Sequence, residues 1–297
     1  MTSPPALHPR PLAPDWAPFE LAIFDCDSTL CAVEGIDAMA RWSGREAEVA
    51  ALTQRAMNGE LPLETVYSRR LELLNPTRDQ MRRLGKLYRD TLLPDARPVL
   101  EALRALGRQV FIVSGGLAEG VREFGRWLGL ADDHVYAVEV EYNELAGRWW
   151  ESWRHPGGRN PDERVLAHDG GPLTLGQGKA EVIRKLRRAH RGRALLVGDG
   201  ITDLEAAGAV DLLVGFGGVV SRERMRAQAP VFIHTPALAP VLPLALARPD
   251  APAEHQALYR RGVELIRAGQ VTFRDPALYA ALARRLGFVV DLDPAES

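Results

Sequence analysis

The chain has 297 residues, 46% hydrophobic and 26% charged, which excludes a disordered or fibrous protein and suits one large domain with an insertion or two small domains. With 37 basic against 39 acidic residues the net charge is −2, so no global field favours nucleic acid or an acidic membrane surface as a partner. No apolar run approaches a membrane span and the N-terminus lacks a cationic n-region followed by an apolar h-region, so a cytoplasmic location is expected.

In chain order, residues 1–18 carry six prolines and read as a loose, extended tail. LAIFDCDSTL at 21–30 is a short apolar run that stops abruptly at polar residues, the pattern of a strand buried on both faces. Alternation puts Asp25 and Asp27 on one side and Cys26 on the other. Two like charges at one strand end call for a divalent cation, a shared proton or both, unless Asp27 or Ser28 simply caps a following helix. Two cysteines, Cys26 and Cys31, make no disulfide framework and are expected to be reduced thiols.

The distance to the next strand-like run is too long for one crossover helix, so residues 34–93 read as a helical insert. One helical stretch runs from Arg45 to Met57, is broken by NGELP at 58–62, and is followed by another from Leu63 to Leu74. Thr77 with Gln80 forms a capping-box pattern that opens a third. Leu63, Val66, Tyr67, Arg70, Leu71 and Leu74 make a stripe with Arg70 in its middle. A guanidinium there needs an anionic partner, unless it snorkels or closes an internal salt bridge.

QVFIVSGG (109–116), ALLVGDGITD (194–203) and DLLVGFGG (211–218) repeat the opening pattern, with amphipathic helical stretches between them. Residues 139–175 differ in texture: VEVEY alternates like a half-exposed strand, and tryptophans and a Gly/Pro/Asp-rich stretch suit a hairpin with a long loop. Lys179 opens a helix, where a cation opposes the helix dipole, so it is either an exposed lysine or one held there by function. Residues 246–297 form a helical extension: 254–268 is amphipathic, and Asp275-Pro276 opens a helix that Gly287 closes.

Strands alternating with helices predict an α/β fold with a doubly wound parallel sheet. Ligands of such sheets sit beyond the carboxyl ends of the strands, so the polar endings of all four runs are expected to converge on one crevice, with residues 34–93 as its cap.

DCDST (25–29), SGG (114–116), Lys179 and GDGITD (198–203) resemble, in that order, the four motifs of the haloacid dehalogenase superfamily. FDCDSTL, EGID (34–37), RAM (55–57), GQGK (176–179), GDGITDLEA and VGFGG are similar to the branch that hydrolyses phosphoserine. The similarity spans about residues 20–245 and thins between Asn143 and Gly171. It implies a Rossmann-like core of residues 19–33 and 94–245, carrying the 139–175 insertion, with 34–93 as the cap.

The resemblance further implies an Mg²⁺-dependent phosphatase in which Asp25 attacks phosphorus and Asp27 acts as general acid and base. Asp25, the Asp27 carbonyl and Asp199 hold the metal in that reading, Ser114 and the Gly115 amide bind phosphoryl oxygens, and Lys179 supplies a cation. Asp203 braces Lys179 or a metal-bound water, or is a helix-terminus carboxylate; Thr202 touches phosphate or is a cap. Glu34 matches the ligand of the substrate ammonium and Arg70 that of its carboxylate, with Met57 as an apolar wall or a core methionine. The implied reaction yields L-serine in serine biosynthesis from a small-molecule substrate, with no nucleic acid or membrane partner and a monomer or homodimer as the working form. The rivals are a relative acting on phosphohomoserine or phosphoethanolamine, and a non-catalytic metabolite-binding protein on the same fold.

Overall fold

The computed structural model describes residues 16–57, 61, 63–144, 149–155, 159–246 and 253–287. The strands are β1 (Leu21–Phe24), β2 (Gln109–Leu117), β3 (Val135–Val138), β4 (Val140–Tyr142), β5 (Val165–His168), β6 (Ala194–Gly198), β7 (Leu212–Phe216), β8 (Val231–Ile233) and β9 (Val271–Phe273). The helices between β1 and Leu92 are α1 (Gly35–Ser43), α2 (Glu46–Met57), α3 (Leu63–Leu74) and α4 (Arg78–Asp90). They are followed by α5 (Ala96–Ala105), α6 (Ala118–Trp127), α7 (Gly178–Ala189), α8 (Ile201–Glu205) and α9 (Glu223–Gln228). The last are α10 (Val241–Leu246), α11 (Gln256–Arg267) and α12 (Pro276–Leu286).

Seven strands form a mostly parallel sheet in the order β3-β2-β1-β6-β7-β8-β9, flanked by helices, while β4 and β5 form a separate antiparallel pair. The four apolar runs of the sequence are β2, β1, β6 and β7, and they are neighbours in that order. Every residue of β1, β6 and β7 is buried, as unbroken apolar runs require when both faces of a sheet are covered.

Two compact units can be distinguished. One contains the described residues up to Ile23, Leu93–Val110 and those from Lys185 onward. In it Trp16 is buried and its Nε1 donates to the Leu244 carbonyl at 2.9 Å, while the Phe19 N–H donates to Ala245 at 2.8 Å. Residues 16–18 are therefore anchored rather than part of a loose tail, because the indole finds both an apolar site and an acceptor. The expectation for residues 1–15 lies outside the described residues. The C-terminal region departs from a purely helical reading: β9 pairs antiparallel with β8 and extends the sheet. Asp275 caps α12 by accepting from the Ala277 N–H, and Gly287 ends it at a φ of 73°.

The other unit contains Phe24–Leu92 and Phe111–Arg184. Thr77 and Gln80 make both bonds of the capping box that starts α4. Its apolar face packs on α6, where Gly120 lets the helix approach Leu84. Arg78, 3% exposed, donates to Glu163 at 2.9 Å and stacks on Tyr142 at 3.7 Å, so the segment between β4 and β5 is held against the start of α4.

Candidate active site

Asp25 follows β1 by one residue and is 8% exposed. Its Oδ1 accepts the Cys26 N–H at 2.8 Å and its Oδ2 is paired with Lys179 Nζ at 3.1 Å. Lys179 is 3% exposed, so the reading of a solvated lysine falls. Its charge sits in the first turn of α7 against the dipole, and the buried carboxylate compensates. Gly178 makes that turn possible: a Cβ there would lie 1.4 Å from the Pro172 carbonyl.

The chain turns sharply after Asp25, with Ser28 in the left-handed region at a φ of 52°. Asp27 Oδ1 accepts the Gly35 N–H at 2.8 Å. The Tyr88 hydroxyl lies close to the same carboxylate, although among the described residues it has no partner with good hydrogen-bonding geometry. Burial, and then the neighbouring Glu34 and Asp25 charges, push the Asp27 carboxyl well above the usual carboxylate range. Some Asp27 surface remains exposed, so the carboxyl group lies within reach of a small molecule. Ser28 Oγ donates to Glu34 Oε1 at 2.8 Å and fixes that carboxylate at the start of α1.

Ser114 is fully buried in β2, and its Oγ accepts the Gly116 N–H at 3.0 Å. Gly116 is tightly enclosed: a Cβ there would meet Val121 at 3.0 Å and Asp27 Oδ2 at 3.1 Å. Thus the serine–glycine end of β2 lies against the Asp27 carboxylate. From α3, the Tyr67 hydroxyl donates to the Gly115 carbonyl at 3.1 Å. Arg70 donates from Nη2 to Thr53 Oγ1, while its buried Nε has no partner among the described residues. Burial lowers the Arg70 pKa, opposed by the nearby charges of Asp37 and Glu34. Met57 is the last residue of α2, and its side chain lies outside the described residues.

In the other unit, Asp199 follows β6 by one residue, is 2% exposed, and accepts from Arg222 Nε at 2.9 Å. Asp203 is fully buried, and its Oδ2 accepts the Gly200 N–H at 3.1 Å at the start of α8, a helix-terminus role. Its carboxylate lies over Gly198, where a Cβ would be 2.1 Å from Cγ. Thr202 sits within α8 and gives its carbonyl to Ala206. Asp25 and Asp199 thus follow strands that are neighbours in the sheet. Each is a buried carboxylate beside a basic side chain, and oxygen donors of that kind suit a hard divalent cation such as Mg²⁺.

Four residues escaped the sequence reading. Ser28 and Tyr67 lie inside stretches already singled out, so proximity to Glu34 and to SGG was their signal. Tyr88 has no sequence signal of its own, being an aromatic within an amphipathic helix. Arg222 has no sequence signal, since its partner is 23 positions away.

The family pattern described as haloacid dehalogenase-like hydrolase matches residues 19–211. Phosphoserine phosphatase of Mus musculus is 34% identical over 214 residues, which are 71% of this chain and 87% of the mouse protein. The Homo sapiens phosphoserine phosphatase is 32% identical over the same shares. Among solved structures, a phospho-aspartyl intermediate analogue of phosphoserine phosphatase is similar with a TM-score of 0.59 at 25% identity, covering 76% of this chain and 98% of that one.

Proposed function

This chain belongs to the haloacid dehalogenase-like hydrolases, and from that membership we propose that it is a phosphoserine phosphatase, releasing L-serine and phosphate from O-phospho-L-serine. The observation that carries the substrate is the buried, unpartnered Nε of Arg70 in a helix whose Tyr67 reaches the SGG turn. A substrate carboxylate satisfies that donor, and Glu34, already oriented by Ser28, meets the ammonium.

The chemistry then follows from the residues. Asp25 attacks phosphorus, the bond from phosphorus to the serine oxygen breaks, and an aspartyl phosphate forms. Asp27, whose surroundings favour its neutral form, gives its proton to the leaving oxygen. It next takes a proton from the water that attacks the acyl phosphate, which releases phosphate and restores Asp25. Ser114 and the Gly115 amide hold phosphoryl oxygens, with Thr202 as a further contact, and Lys179 keeps charge balanced beside Asp25. Asp203 keeps the GDG turn in place through Gly200. Asp25, Asp199 and the Asp27 carbonyl are the groups that would hold Mg²⁺, which neutralises phosphoryl charge when bound.

Phosphate release from phosphoserine, phosphohomoserine, phosphoethanolamine and para-nitrophenyl phosphate in the presence of Mg²⁺ tests the proposal. Phosphoserine is expected to have the highest kcat/KM. Equal turnover of phosphoethanolamine, which has no carboxylate, would overturn the substrate assignment.

A further inference from the structure

The insertion between β4 and β5 lies where the family resemblance thins, yet its second strand runs beside the helix that carries Arg70. From one end, Arg164 Nη1 donates to the Asn75 carbonyl at 2.7 Å and the Val165 N–H donates to Pro76 at 2.9 Å. At the other end His168 reaches α3 directly: its Nε2 lies 2.8 Å from Ser68 Oγ. Its ring meets Tyr67 edge-on, with centroids 5.4 Å apart and an interplanar angle of 83°.

The direction of the His168 bond follows from its other nitrogen. The Gly170 backbone N–H, which can only donate, points at Nδ1 at 3.0 Å. Nδ1 is therefore bare, the ring proton sits on Nε2, and Nε2 donates to Ser68 Oγ. The turn after β5 thus sets the tautomer that makes the contact to α3. Through Tyr67, which is bonded to the Gly115 carbonyl, the same part of α3 is tied to the phosphate-binding turn on its other flank.

We infer that His168 is a positioning residue for substrate selection: it clamps α3 so that Arg70 is held where a substrate carboxylate meets it. The insertion is then a specificity device rather than surface decoration. This rests on the proposed phosphoserine hydrolysis for its kinetic consequence, but not for the clamp itself.

The test uses the full chain and three variants. In His168→Ala, amide hydrogen exchange in α3 is expected to accelerate relative to β6. The KM for phosphoserine should rise roughly three- to tenfold more than that for para-nitrophenyl phosphate, the factor that loss of one net hydrogen bond gives. His168→Gln places an amide N–H near the Nε2 position and should recover most of both effects. His168→Asn instead mimics Nδ1, keeps the Gly170 contact, and should not. Unchanged α3 exchange in His168→Ala, equal losses on both substrates, or rescue by Asn as full as by Gln would each overturn the clamp. A wild type inactive on phosphoserine but with α3 exchange still dependent on His168 would overturn the substrate assignment and leave the clamp standing.

Discussion

Asp25 and Asp27 lie two positions apart, and their surroundings push them into different roles. Asp25 is matched by buried Lys179, whereas Asp27 is pressed by burial and two neighbouring carboxylates toward its neutral form. Asp25→Asn should keep the fold and reduce phosphate release to background, since an amide does not attack phosphorus; retained turnover would rule out an aspartyl phosphate. Asp27→Asn should slow the reaction by about a hundredfold or more, the usual cost of losing general acid–base help. Arg70 separates selection from chemistry. Arg70→Ala should cost phosphoserine about 2–4 kcal/mol in kcat/KM, roughly 30- to 1000-fold, and Arg70→Lys should recover part, because an ammonium lacks the bidentate fork. Para-nitrophenyl phosphate has no carboxylate and should be little affected. Equal losses on both substrates would place Arg70 in the fold or in the chemical step.

Among the elements, legibility followed length and periodicity. The four apolar runs with polar endings and the helices α2, α3 and α4 were plain in the sequence, because burial on both faces or a helical stripe leaves a recognisable pattern, whereas α1 was not predicted. The strands β3, β8 and β9 are three or four residues long and lack a paired-acid ending such as marks the equally short β1, so nothing singles them out. The site motifs were legible because their spacing is local. The contacts that join β5 and its preceding residues to α3 and α4 were not, since His168 meets Ser68 across 100 positions and Arg78 meets Glu163 across 85. That second pair carries a prediction about stability. The side chains of Arg78 and Glu163 are 3% and 5% exposed, so removing the arginine leaves a buried carboxylate without its cation. Arg78→Ala is therefore expected to destabilise the protein by about 3–5 kcal/mol in denaturant unfolding. Arg45→Ala breaks an exposed pair with Glu48 and should stay within about 1 kcal/mol. Equal effects would mean that the Arg78 network contributes no more than a surface ion pair.

For the whole molecule, the C-terminal segment answers a problem that any open sheet faces. The β8 strand is buried along its whole length, and without β9 its outer edge would present unpaired backbone groups beside Val231, Phe232 and Ile233. Pairing of Val231 with Phe273 and of Ile233 with Val271 closes that edge. On the same unit α11 packs on α10, and Gly262 sits so close to the Ala239 carbonyl that a Cβ would lie 2.3 Å from it. Removing residues 253–287 therefore uncovers a strand edge and an apolar helix face together. Truncation after residue 250 is expected to lower Tm by roughly 5–10 °C, since each kcal/mol moves Tm by about 2–4 °C in a domain of this size. It should also produce concentration-dependent association through the opened edge, read by size-exclusion chromatography across a dilution series. The protein that stays folded should keep its preference for phosphoserine over para-nitrophenyl phosphate, because Glu34, Arg70 and His168 belong to the other unit. A truncated chain that is as stable and monodisperse as the full one, but has lost that preference, would show that the segment serves the substrate site rather than the sheet.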